Sequence, residues 1–176
     1  MENPAASRDS CANPIRSRLR WLWLSLAVIL LDQAAKYIAE ALLTPHQPVA
    51  VLPFFDWFLT YNTGAAFSLL ANAGGWQRWF FTVIAIVVSV VIVQWLTKLE
   101  EDERLTAVSL ALILGGAIGN VIDRILLGHV IDYIQVWLGS YPFPAFNVAD
   151  AAISVGAVLL ILASFIGRKP DEESQS

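Results

Sequence analysis

Several ionisable and amide side chains interrupt stretches of this sequence that are otherwise apolar. Asp132 lies in His-Val-Ile-Asp-Tyr-Ile and Asp150 in Phe-Asn-Val-Ala-Asp-Ala-Ala-Ile, and neither has a basic neighbour in sequence beyond His129. Two carboxylates brought together in apolar surroundings cannot both ionise easily, so one is held protonated. Such a pair offers an acid and a base at one pH, which is what hydrolysis of a peptide bond by activated water needs. Asp150 also suits the first turn of a helix, where a carboxylate gains from the dipole. A capping role therefore stands beside the chemical one.

A second set of charges reads differently. Asp32, Lys36 and Glu40 are spaced i, i+4, i+8 and share one helical face, so Asp32 and Lys36 can pair. Asn120, Asp123 and Arg124 end another apolar run, with Asp123 and Arg124 read as an ion pair at the helix end. Ionisable groups in an apolar helix are costly and point to function by default; a structural, self-neutralising pair is the other reading for both groups. Gly115 and Gly119 form a small-xxx-small pair that lets a second helix approach closely.

Other hydrolytic chemistries lack their residues. There is no His-Glu-x-x-His metal motif and no Gly-x-Ser-x-Gly elbow. A serine–lysine pair would have to use Lys36, and Ser25 is eleven positions away. Two histidines and one cysteine, Cys11, leave no basis for a metal site or an internal disulfide. No apolar run precedes Cys11, which reads as an ordinary thiol in a polar tail. No metal or cofactor is expected.

The elements that must position these residues are apolar helices. Hydrophobic residues make up 57% of the 176 and charged residues 15%, against roughly 45–50% and about 25% in globular domains. Mean hydropathy is +0.60. Residues 79–96, 105–122 and 151–167 carry no charge, and 21–31 continues as a largely apolar stretch to residue 43. Each is long enough to cross, or nearly cross, a hydrocarbon core about 30 Å thick. These values exclude a disordered chain and an ordinary soluble enzyme, and the net charge of −4 leaves no basic footprint for nucleic acid.

Four spans are expected at about 20–43, 78–97, 105–124 and 148–167, in a membrane domain covering 19–167. Eight of the eleven Lys and Arg residues (Arg8, Arg16, Arg18, Arg20, Lys98, Arg104, Arg168 and Lys169) then fall on one side. The positive-inside rule makes that side the cytoplasm, with tails 1–18 and 168–176 there and loops 44–77 and 125–147 outside. Within the first loop, Val49–Leu52 and residues 54–61 read as short strands, with turns at Pro53 and at Asn62, Thr63 and Gly64. The aromatic density of residues 49–70 suggests a segment that lies on the membrane surface or covers something, and one that moves. Residues 125–147 read as a second apolar loop.

Five blocks, in order and at matching spacing, resemble the bacterial lipoprotein signal peptidase (signal peptidase II) family. They are Asp32-Gln-x-x-Lys36, Tyr61-Asn-Thr-Gly-Ala-Ala-Phe67, Gly115-Gly-Ala-Ile-Gly-Asn-Val-Ile-Asp-Arg124, Val130-Ile-Asp-Tyr133 and Phe146-Asn-Val-Ala-Asp150. Tyr133 stands where the family often has Phe. The resemblance implies a mainly α, polytopic fold of four transmembrane helices with a small periplasmic β-sheet, the cradle, and a short periplasmic helix. It implies an aspartyl endopeptidase of the inner membrane, with its site near the periplasmic face, that removes the signal peptide from diacylglyceryl-modified prolipoproteins just before the lipidated cysteine. The family's catalytic aspartates map onto Asp132 and Asp150. Asp32, Asn62, Asn120, Asp123, Arg124 and Asn147 map onto the polar support, with Lys36 and Gly64 from the same blocks. Implied partners are the prolipoproteins, membrane lipid and globomycin-type inhibitors. Read from the residues alone, a small proton- or ion-coupled carrier with a relay of carboxylates is the alternative.

Overall fold

The computed structural model describes residues 19–64 and 74–166. Both tails, Cys11, and the part of the 49–70 segment from Ala65 onward lie outside the described residues.

The elements run α1 (Leu22–Leu42), β1 (Val49–Leu52), β2 (Phe55–Asn62), α2 (Trp76–Leu96), α3 (Arg104–Leu126), β3 (Val130–Leu138), β4 (Tyr141–Pro142) and α4 (Val148–Ile166). The four helices have 21, 21, 23 and 19 residues. At about 1.5 Å per residue each is near the length of a bilayer core, and all four are apolar enough to cross a membrane. No short helix lies between the spans among the described residues.

The bundle is built around α3, which packs against each of the other three helices. Small residues allow this. A Cβ on Gly115 would sit 2.7 Å from the Cβ of Val28 in α1, and one on Gly119 would sit 2.7 Å from Oδ2 of Asp32. Gly116 meets the Ala149 carbonyl of α4 in the same way. The expected role of Gly115 and Gly119 is thus seen directly: with no side chain, they bring α1 onto α3 at van der Waals contact. Large apolar side chains point outward instead, among them Trp79, Val83, Val87 and Val91 of α2 and Val158, Ile161 and Phe165 of α4. Polar residues face inward: Ser109, Asn120 and Asp123 of α3 are buried. That inversion suits an apolar solvent.

The strands form one antiparallel sheet in the order β1-β2-β3-β4. β2 follows α1 and β3 follows α3, so their pairing puts both long connections at the same end of the bundle. Asn62 ends β2, and its Oδ1 accepts from the Gly64 N–H at 2.9 Å, which makes the expected turn. β3, the sheet's link to the helices, was not legible: residues 125–147 read as a loop. Val130, Ile131, Asp132 and Tyr133 are all buried in succession, so this strand shows none of the in-out alternation by which strands are recognised.

Candidate active site

Asn147 organises the site. It caps α4, accepting at Oδ1 from the backbone N–H of Asp150 at 2.9 Å, a pairing that satisfies one of the unpartnered donors of the first turn. Its Nδ2 donates to Oδ1 of Asp132 at 2.8 Å, with the Ile131 carbonyl and Asn120 Oδ1 both at 3.2 Å. One fully buried amide thus joins Asp132 on β3 to Asp150 on α4. The cap of this helix is Asn147, so the Asp150 carboxylate is released from capping and turns to Asn120, whose Nδ2 donates to its Oδ1 at 2.7 Å.

Asp132 is 2% exposed. Its second oxygen accepts from Nδ2 of Asn62 at 3.2 Å. Thr60 is the direct cross-strand partner of Asp132, which places Asn62 diagonally opposite and within reach. Burial and the nearby Asp150 charge push the Asp132 carboxyl up to about 7, against the opposing pull of the Asn62 and Asn147 amides and of Lys36. Both aspartates open onto one cavity of about 560 Å³, whose wall includes Asn62, Asn120, Arg124 and Phe146. His129, the basic neighbour in sequence, lies with its ring 4.5 Å from that of Tyr61.

The remaining charges form a second cluster beneath this pair. The Lys36 ammonium makes three contacts, with Oδ2 of Asp32 at 2.7 Å, Oδ2 of Asp123 at 2.7 Å and Oδ1 of Asn120 at 3.0 Å. Oδ1 of Asp32 accepts from the Ala149 N–H of α4 at 2.9 Å. The Ile131 N–H donates to Asp123 Oδ2 at 3.3 Å, which ties β3 to α3. The Asp32–Lys36 pair expected from spacing is present; Glu40, on the same face, is exposed and outside the cluster.

The expected Asp123–Arg124 pair is not formed. Adjacent helical residues point in directions that do not meet, and Asp123 faces inward to Lys36. Arg124 instead donates to the Gly64 carbonyl at 3.3 Å and the Asn120 carbonyl at 3.4 Å, with its guanidinium 5.7 Å from the Phe81 ring. One further residue escaped notice. Gln33 Nε2 donates to Asp123 Oδ1 at 2.8 Å and lies 3.3 Å from Asp32 Oδ2 and the Gly119 carbonyl. Its place beside Asp32 in the first block was the available signal.

The family resemblance extends over most of the chain. Residues 24–166 match the family described as Signal peptidase (SPase) II. The chain belongs to the signal peptidase II family. It is 55% identical over 174 residues to a lipoprotein signal peptidase of Pseudomonas putida, covering 98% of each chain. It is 52% identical over 163 residues to that of Pseudomonas syringae pv. tomato, covering 92% of this chain and 94% of the relative. Among solved structures, a bacterial membrane enzyme determined by the in meso method at 2.3 Å resolution superposes with a TM-score of 0.78 at 29% identity, covering 89% and 94% of the two chains. Another, at 1.9 Å resolution, gives 0.73 at 30% identity, covering 85% and 94%. A signal peptidase II is a peptidase, and its four apolar helices make this chain a multi-pass bacterial membrane protein.

Proposed function

We propose that this protein is an aspartyl endopeptidase that removes the signal peptide from diacylglyceryl-modified prolipoproteins, cutting just before the lipidated cysteine, with Asp132 and Asp150 as the catalytic pair. The observation that carries this reading is the placement of both carboxylates on one cavity wall, on segments tied together by Asn147, which bonds the Asp132 carboxylate and the Asp150 backbone N–H, and without the direct ion pairs that Asp32 and Asp123 make with Lys36. One aspartate, ionised, takes a proton from a water molecule as its oxygen attacks the scissile carbonyl carbon. The other, protonated, donates to the carbonyl oxygen. When the tetrahedral intermediate collapses, the C–N bond breaks and the pair returns a proton to the leaving amine. The two titrate as a unit, so acid and base roles belong to the pair. The remaining site residues support the pair: Asn62, Asn120 and Asn147 hold the carboxylates, and Asp32, Lys36, Asp123, Arg124 and Gly64 hold the elements that carry them.

The cavity wall includes Phe143, Phe146, Ile153 and Val155, an apolar lining suited to acyl chains and to globomycin-type inhibitors. The distribution of basic residues favours cytoplasmic termini and a site near the periplasmic face of the inner membrane. A carrier would need its carboxylates spread through the membrane depth; Asp32, Asp123, Asp132 and Asp150 instead gather in one network. The decisive experiment incubates purified protein with a diacylglyceryl-modified prolipoprotein and with the unmodified precursor. Cleavage of the modified form alone is expected, and equal cleavage of both removes the lipid from the reading. Alkaline phosphatase fused after Gly74 is expected to be active and after Glu101 inactive; the reverse pattern inverts the topology.

A further inference from the structure

Lys36 lies one residue removed from the proposed chemistry, and its geometry gives it more than a structural task. The ammonium has three N–H donors. Two are taken by Asp32 and Asp123 at 2.7 Å each, which pin the nitrogen, and the third is left for Oδ1 of Asn120 at 3.0 Å. A side-chain amide has two ends of opposite character. With its oxygen held by Lys36, and by Asn147 Nδ2 at 3.2 Å, Asn120 must present its NH2 group on the other side. There it meets Oδ1 of Asp150 at 2.7 Å. A flipped amide would set its NH2 against an ammonium and its oxygen against a carboxylate, which is unfavourable at both ends.

We propose that Lys36 is a positioning residue that acts through Asn120: it fixes the amide in the orientation that donates to Asp150. The inference rests on the reading of Asp150 as a member of the catalytic pair. The cluster reaches the same helix by a second route, since Asp32, held by Lys36, accepts from the N–H of Ala149 beside Asp150. Both contacts bear on where the Asp150 carboxylate stands. Displacing a reacting group by about 1 Å costs on the order of 10²-fold in rate.

The test is a double-mutant cycle on cleavage of a diacylglyceryl-modified prolipoprotein, with Lys36→Met, Asn120→Ala and the pair. If Lys36 acts through Asn120, each single substitution lowers kcat with KM little changed, and the double is scarcely worse than Asn120→Ala. Lys36→Met also moves the acid limb of the kcat–pH profile to higher pH, partly through the lost positive charge and partly through the freed Asn120 amide; the second part is absent once Asn120 is Ala, so Lys36→Met shifts the limb less in the Asn120→Ala background, whereas a purely structural lysine shifts it equally in both. Losses that multiply, or equal limb shifts in the two backgrounds, overturn the inference. Lys36→Met leaves Asp32 and Asp123 without a cation and can fail to fold. The same cycle is therefore run in an Asp123→Asn background, where removing Lys36 restores the net charge of the cluster. Asn120→Leu gives a further check, since it keeps most of the side-chain volume but has neither an acceptor for Lys36 nor a donor for Asp150. It is expected to fold and to lose turnover as Asn120→Ala does, and wild-type kcat in this variant overturns the inference. Asp150→Asn is measured alongside. An inactive Asp150→Asn with multiplicative Lys36 and Asn120 effects rejects the role of Lys36 alone, whereas an active one rejects the reading on which it rests.

Discussion

The Asp32–Lys36–Asp123 cluster and the Asp132–Asp150 pair share the buried amide of Asn120 and use the same acidic side chain to opposite ends. In the cluster each carboxylate touches an ammonium at 2.7 Å and accepts a further N–H, from Ala149 for Asp32 and from Gln33 for Asp123. In the pair the donors are neutral amides, and the Asp132 carboxyl is held up to about 7. Burial acts on both; the counter-charge separates them. The carboxylates of the cluster are spent on a buried cation and serve the fold, while Asp132, buried beside another carboxylate, retains a proton that it can exchange.

The comparison breaks most visibly in turnover. Asp132→Asn and Asp150→Asn keep the size and most of the hydrogen bonding of the native residue but cannot exchange the proton. Each is expected to fold and to lose cleavage by about 10²–10⁴-fold or more, with the double variant scarcely worse than either single. Cleavage rates of lipid-modified substrate beside unfolding curves in detergent check this. Near wild-type turnover in either single variant removes that residue from the pair.

Asp123, which touches the cluster but not the pair or Asn120, should respond in stability instead. Asp123→Ala leaves Lys36 short of one of its two carboxylates and the Ile131 N–H without its acceptor. Breaking a buried pair on one side costs about 3–5 kcal/mol, so the thermal midpoint should fall well below that of either Asn variant of the pair. An unchanged midpoint would mean that the cluster does not hold the helices.

The pH dependence sharpens the contrast. The Asp132 carboxyl titrates higher in the folded protein, at about 7, than its ordinary value near 4. Between those values the folded state keeps a proton that the unfolded chain has released, so this group makes stability fall as pH rises from about 4 to about 7. Asp132→Asn should flatten the dependence in that window, as read from unfolding midpoints across pH. A slope that persists in full would assign it to other groups.

The smallest effect is expected at Arg124. Its bonds to Gly64 and Asn120 are long, and it forms no pair with Asp123. Arg124→Ala should therefore cost about 1 kcal/mol, far less than Asp123→Ala. Equal losses from the two substitutions would restore the Asp123–Arg124 pairing read from spacing.

Much of this architecture is written locally in the chain. The four spans follow from uninterrupted apolar length, β1 and β2 from β-branched and aromatic residues between turn signals, and the Asp32–Lys36 pair from helical spacing. The candidate carboxylates stood out because charge is conspicuous in apolar sequence. These are properties of neighbouring residues, and the partitioning of backbone and side chains between water and lipid acts on them segment by segment. Only the tertiary structure decided the partners. Asp123 joins Lys36 rather than adjacent Arg124, Asn147 takes the cap that Asp150 could have filled, and β3 becomes the strand that carries Asp132 although both its faces are covered. The physical reason is that a buried charge or amide takes whichever complementary group packing brings within about 3 Å. Here that packing depends on Gly115, Gly116 and Gly119 letting α1 and α4 close onto α3, an approach between helices that spacing along one segment does not contain.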